Sequence, residues 1–134
     1  MTRYIGLVDG HDGAWGVVIP DFPGCHGGGA TIETAVQDAT SALREFAADM
    51  LADGEVLPVA RTLHVIEQEQ DAAGEPRSTA VFVRLIRDHA RTVKATISLD
   101  AGVLVAIDEE AKARGMTRSG FLASAALLEI SKGG

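Results

Sequence analysis

Cysteine occurs once, at Cys25, so no intramolecular disulfide can form and the companions of a structural zinc site are missing; it reads as a small packing residue. No charged start leads into a long apolar run, and no apolar stretch reaches the length of about 18 residues that suggests a membrane span. Neither a signal peptide nor a membrane partner is indicated, and a cytoplasmic location is expected. Three successive glycines, Gly27, Gly28 and Gly29, invite comparison with a phosphate cradle, but no Lys-Ser or Lys-Thr follows them. Close backbone packing or a bulge is the better reading, and no cofactor is expected. The four histidines, His11, His26, His64 and His89, show no metal-ligand spacing with one another, so no metal is expected either.

Apolar residues make up 46% of the 134 positions, enough for one moderate domain or two small ones. The formal net charge of −7 is unevenly spread: residues 1–90 carry 6 arginines against 14 carboxylates, a net of −8, while residues 91–134 carry 6 cations and 5 carboxylates, a net of +1. An acidic front suits a basic protein partner, although it also serves solubility alone; the rear is neutral enough to meet DNA.

In chain order, residues 3–8 (RYIGLV) read as a first strand, DGHDGA as a hairpin turn and residues 15–19 (WGVVI) as a second strand. Pro20, Asp21, Phe22, Pro23 and Gly24 form a rigid turn, because both prolines hold phi. A short third strand over residues 25–30 precedes the longest helix. Thr31 caps that helix, and Ile32, Ala35, Val36, Ala39, Leu43, Phe46, Ala47, Met50 and Leu51 trace its apolar stripe up to Gly54. Thr62 opens a shorter helical piece with Leu63, Val65 and Ile66, and residues 79–86 (TAVFVRLI) form a last strand. A sheet with one helix layer leaves its other face needing cover, from self-association or a partner. Trp15 is a candidate for that surface or for the core.

Residues 93–130 carry the sharpest pattern. Val93, Ala95, Ile97 and Leu99 alternate with Lys94, Thr96 and Ser98, the period of a strand with one apolar and one polar face. Asp100 supplies an N-cap; Val103, Leu104, Ile107 and Ala111 follow at helical spacing; Gly115 stops the helix, with Met116 beside it. Thr117 caps a second helix with Phe121, Leu122, Ala125 and Leu128 at spacings of three and four. One strand and two short helices, about 40 residues, lie near the lower limit for burying a self-sufficient core, and the strand needs a partner. A twofold dimer supplies one: the two copies of residues 93–99 pair antiparallel, Val93, Ala95, Ile97 and Leu99 form the dimer core, and four helices cover it. The polar face then presents a two-stranded ribbon that fits the major groove of double-stranded DNA, where Lys94 can donate to guanine and the hydroxyls of Thr96 and Ser98 can meet either kind of base edge.

With "VKATISLD" as ribbon and "ARGMTRSGFL" as inter-helix turn, this segment resembles ribbon-helix-helix repressors. The resemblance implies base contacts from Lys94, Thr96 and Ser98, and phosphate contacts from Thr117, Arg118 and Ser119 at the start of the second helix. Free N–H groups and the helix dipole favour an anion there on independent grounds. The front part resembles the N-terminal domain of HicB-type antitoxins. Trp15, Pro20, Asp21, Pro23, Gly24, Thr31, Glu33 and Ala35 occupy the places of that pattern, while His26 and the three glycines depart from it and leave the third strand short or bulged. Together the two resemblances imply an α+β chain. Its first part, residues 1–88, is a partial ribonuclease H-like β-β-β-α-β domain, and residues 89–134 are a ribbon-helix-helix (β-α-α) dimerisation domain. They further imply an antitoxin of a type II pair that neutralises a HicA-like mRNA-cleaving toxin by direct binding and represses its own operon. No toxin-facing residue is singled out. An orphan regulator without a toxin shares the same architecture.

The rival class is a two-metal nuclease, prompted by the ribonuclease H-like shape together with Asp9, Asp12 and Asp21. Such a site needs several converging carboxylates. Asp12 and Asp21 read as turn residues and no second acidic set stands out, so no catalytic residue is assigned. Residues 87–92 (RDHART) form a short charged connector. Because the rear dimerises, the front domains arrive in pairs, and their further pairing would give a tetramer with two ribbons.

Overall fold

A computed structural model describes residues 1–89 and 92–132 of the chain. It divides into two compact units, Met1–Asp88 with the chain's end from Ser131, and His89–Ile130. The first contains β1 (Arg3–His11), β2 (Ala14–Val18), β3 (His26–Gly29), α1 (Ile32–Ala52), α2 (Leu63–Ala72) and β4 (Thr79–Arg84); the second contains α3 (Ala101–Ala113) and α4 (Arg118–Ser131). The mixed α+β arrangement is thus an antiparallel sheet unit followed by helices.

The four strands lie in the order β3-β2-β1-β4, every neighbour antiparallel, with Leu7 opposite Val18, Tyr4 opposite Val83 and Trp15 opposite Gly29. Alternate residues point to opposite faces. On one face Tyr4, Val8, Val17 and Val83 meet Ala35, Ala39, Leu43 and Ala47, which recur every fourth residue along α1 and are all buried. Trp15 belongs to this face and is half-buried against the same core.

The small residues of α1 let the sheet come close, and the closest approach explains the three glycines. A Cβ on Gly27 would lie 2.2 Å from the Ala39 nitrogen, and one on Gly29 would lie 2.8 Å from the Ala35 nitrogen. Gly28 points the other way, and its N–H donates to the Asp38 carboxylate at 2.9 Å. That bond occupies a peptide group of an edge strand that another chain could otherwise pair with. The stretch is a helix-packing strand, in keeping with the close-packing reading.

The opposite face differs from the one-layer expectation. The helix opened by Thr62 runs to Ala72, longer than the short piece anticipated, and buries Ile66 against Ile5 and Leu7, with Ala80 packed beside them. The order is therefore β-β-β-α-α-β, and α2 covers the part of the second face that lies over β1. Val18 and Phe82 remain 50% and 58% exposed there, and the Arg3 guanidinium lies 5.0 Å from the centre of the Phe82 ring. The sequence pattern hid this division because α2 has a narrow apolar face of its own.

The turn after β2 ties these layers together. Phe22 is buried and meets Tyr4 edge-to-face at 4.7 Å, and the Tyr4 hydroxyl donates to the Pro58 carbonyl at 2.7 Å. The Asp21 side chain is only 2% exposed. It accepts from the backbone N–H of Arg61 at 3.1 Å and from the Arg61 guanidinium, which also bonds to Glu69 on α2. A loop residue of the proline turn thereby anchors the connection between the two helices.

Helix ends follow the expected signals. Thr31 and Thr62 accept from backbone N–H groups as N-caps; at Thr31 the residue that bonds back is Thr34. Gly54, Gly74 and Gly115 follow the ends of α1, α2 and α3 with phi of 78°, 70° and 68°. In each case the next residue's N–H donates back to the last turn, at 2.9, 2.9 and 2.8 Å, the paired-bond stop that favours glycine.

Two stability predictions follow from this packing. Gly27→Ala should cost about 1–3 kcal/mol or more, because the clash is with helix backbone, whereas Gly28→Ala on the open face should be close to neutral; chemical denaturation of both variants compares them. Asp21→Ala should destabilise the fold by about 1–3 kcal/mol, since it strands the Arg61 N–H and guanidinium. Unchanged unfolding of that variant would show that the anchor contributes nothing.

Candidate nucleic-acid interface

The second unit is a capped helix hairpin preceded by a segment that pairs with no strand among the described residues. Asp100 accepts from the N–H groups of Gly102 and Val103 at 2.9 and 3.2 Å and starts α3. Gly115 ends it as described above. Thr117 then accepts from the Gly120 N–H at 3.0 Å and starts α4, so both predicted caps and the predicted stop are in place.

Residues 93–99, expected as a strand, form no ladder, and all of them are exposed. Among the described residues no backbone hydrogen bond joins this segment to the sheet or the helices. The physical reason is that a strand exists only against another strand, and one chain carries a single copy. The alternation leaves Val93, Ile97 and Leu99 exposed at 72%, 59% and 40%. Val103 and Val105 of α3 and Leu128 of α4 are likewise exposed. A hairpin this short with this much apolar surface in water has the form of half an interface. Lys94, Thr96 and Ser98 occupy the alternate positions and are exposed as well.

At the start of α4, Thr117, Arg118 and Ser119 sit together at a helix N-terminus and are all exposed. The Arg118 guanidinium is engaged, donating to both oxygens of Asp108 on α3 at 2.8 Å each. That pair holds the Asp108 carboxyl below the usual carboxylate range and pushes Arg118 up. Arg114 is paired too, with Glu110 at 2.8 Å, and its guanidinium lies 5.5 Å from the centre of the Phe121 ring. The Asp108 contact escaped the sequence reading because it joins residues ten apart across a helix hairpin, outside the i,i+4 spacing that signals pairs within one helix.

Two of the three aspartates that prompted a nuclease reading have other partners. Asp21 serves Arg61, and Asp9 accepts from the N–H of its neighbour Gly10 at 2.8 Å. Among the described residues no three His, Cys, Asp or Glu side chains gather as a metal-binding group. Cys25 is buried, and burial pushes its thiol up, away from the reactive thiolate. None of the helices, among the described residues, is long and apolar enough to cross a membrane.

Known proteins match this architecture along nearly its full length. The family described as the HicB-like antitoxin of bacterial toxin-antitoxin systems matches residues 4–126. The crystal structure of the Burkholderia pseudomallei antitoxin HicB is similar at 30% identity and a TM-score of 0.55, covering 95% of this chain and 97% of that one. The N-terminal domain of B. pseudomallei HicB matches at 25% identity and a TM-score of 0.53, over 63% of this chain and 99% of that one. A complex of the toxin HicA3 with the antitoxin HicB3 contains a chain of the same fold at 18% identity and a TM-score of 0.50, over 63% of this chain and 99% of that one. Among curated proteins no relative matches. A match spanning the sheet unit and most of the helix hairpin, joined to a relative 30% identical over almost all of both chains, places this chain in the HicB-like antitoxin family.

Proposed function

We propose that this chain neutralises a HicA-like toxin through its acidic first unit, residues 1–88, and represses its own operon through residues 89–134. The observation that carries the second half is the unpartnered alternating segment directly before a capped helix hairpin. Two copies pairing antiparallel over residues 93–99 satisfy each other's peptide groups, bury Val93, Ala95, Ile97 and Leu99 beneath the four helices, and turn Lys94, Thr96 and Ser98 outward as one ribbon. The start of α4, with its N–H groups and Thr117, Arg118 and Ser119, then faces the phosphate backbone.

The toxin half rests on charge and on likeness. The net of −8 over residues 1–90 suits a small basic partner, and HicB3, a chain of the same fold, is held with the toxin HicA3. The chain works in this account as a binding protein in the cytoplasm, without catalysis of its own. Paired ribbons bring two sheet units together, and pairing of those units would assemble a tetramer with two ribbons for two half-sites.

Fluorescence anisotropy on DNA from upstream of the gene tests the ribbon. Lys94→Ala should lose about 1–3 kcal/mol of discrimination at the base it contacts while retaining its grip on random duplex. Thr96→Ala should weaken the operator complex selectively. Wild-type affinity in both variants would remove the ribbon from DNA recognition. Co-purification of the chain with the product of a small basic reading frame beside its gene tests the toxin half, and failure of the two to associate would leave the regulator alone.

A further inference from the structure

We infer that Asp108 is a built-in counter-charge that withholds Arg118 from the DNA backbone and so sets how tightly this protein grips DNA of any sequence. The inference rests on the proposed reading of DNA by the 93–99 ribbon and deepens it.

Arg118 is the first residue of α4, the position from which a cation would meet a phosphate beside the helix N-terminus. Asp108 takes the edge of its guanidinium formed by Nε and Nη2, with both bonds at 2.8 Å. Bidentate pairing of this kind is specific in geometry and competes for the same donor fork that recognises phosphate. A phosphate arriving at Arg118 would bring a second anion beside the carboxylate, and the pair it meets carries no net charge. The side chains are 54% and 43% exposed, so the bridge adds little to folding and is open to exchange with solvent anions. Its consequence is electrostatic. Arg114, the other arginine of the hairpin, donates one bond from Nε to Glu110 at 2.8 Å, so both arginines of the helix hairpin have a carboxylate counter-charge beside them. Lys94 sits apart from this arrangement, on the ribbon that reads bases.

The lower pKa of Asp108 and the higher one of Arg118 agree with a bridge that stays ionised near neutral pH. Removing the carboxylate charge while keeping its shape frees one cation for one phosphate. Each such contact steepens the dependence of log affinity on log salt by about 0.9, which corresponds to about an eightfold gain at 0.1 M salt.

The test is anisotropy of the full chain on the upstream duplex and on random duplex over a salt series, with wild type, Asp108→Asn, Asp108→Glu, Arg118→Ala and the Asp108→Asn/Arg118→Ala double variant. Asp108→Asn should tighten both duplexes by the same factor of about eight and steepen the salt slope by about 0.9. Asp108→Glu, which keeps the charge, should stay near wild type. Arg118→Ala should weaken both duplexes alike, and adding Asp108→Asn to it should bring none of the gain that Asp108→Asn brings to wild type. Weaker binding by Asp108→Asn would mean that Asp108 positions Arg118 on the phosphate, and an unchanged affinity and slope would mean that Arg118 never meets DNA; either result overturns the inference. Sequence-selective wild-type binding that Thr96→Ala loses keeps the ribbon reading intact in those cases. Absence of selective wild-type binding would remove both.

Discussion

An isolated strand has to be finished by another chain, and that constraint governs the rear of this protein. Residues 93–99 carry apolar side chains at every second position, and these are exposed together with valines of α3 and a leucine of α4. Hydrophobic burial is worth about 25 cal/mol per Å² of apolar surface, so an arrangement that covers this segment and the adjoining helix residues together is strongly favoured over leaving them in water. Antiparallel pairing with a second copy achieves this while turning the polar positions outward as a continuous ribbon. In the dimer proposed above, the interface and the DNA-reading surface would both follow from this one alternation. The hairpin of α3 and α4 needs its caps at Asp100 and Thr117 and its stop at Gly115 because its helices are too short to hold their ends without them.

The front unit meets a different constraint, the closeness of its sheet to α1. Alanines on the helix and glycines on β3 remove the side-chain layer between the two backbones, so the sheet can lie against the helix with little volume to fill. The Asp21 carboxylate then closes the opposite end of the unit through Arg61, holding the connection that delivers α2 to the second face.

Much of this could be read directly from the sequence, because the signals were local. Thr31, Thr62, Asp100 and Thr117 each announce a helix by offering a side-chain oxygen to nearby N–H groups, and Gly54 and Gly115 announce helix ends by tolerating positive phi. The sheet strands followed from short apolar runs bounded by turn residues. What escaped notice depends on contacts distant in sequence. The close packing of Gly27 and Gly29 was legible but its partner α1 was not; the cover over Ile5 and Leu7 is set by where α2 returns, and the neutralisation of Arg118 by a carboxylate on the preceding helix. Asp21 looked like a turn residue and is one, but its buried bond to Arg61, forty positions away, has no local signature.

In the proposed dimer, residues 93–99 of two chains form one paired ribbon. Amide hydrogen exchange of the full chain, followed residue by residue as the protein is diluted, tests it most directly. Slowed exchange is expected in residues 93–99 at concentrations where the protein binds its upstream DNA, lost on dilution together with that binding. Exchange of these amides at the rate of an unstructured peptide, in protein that still binds the DNA selectively, would contradict it.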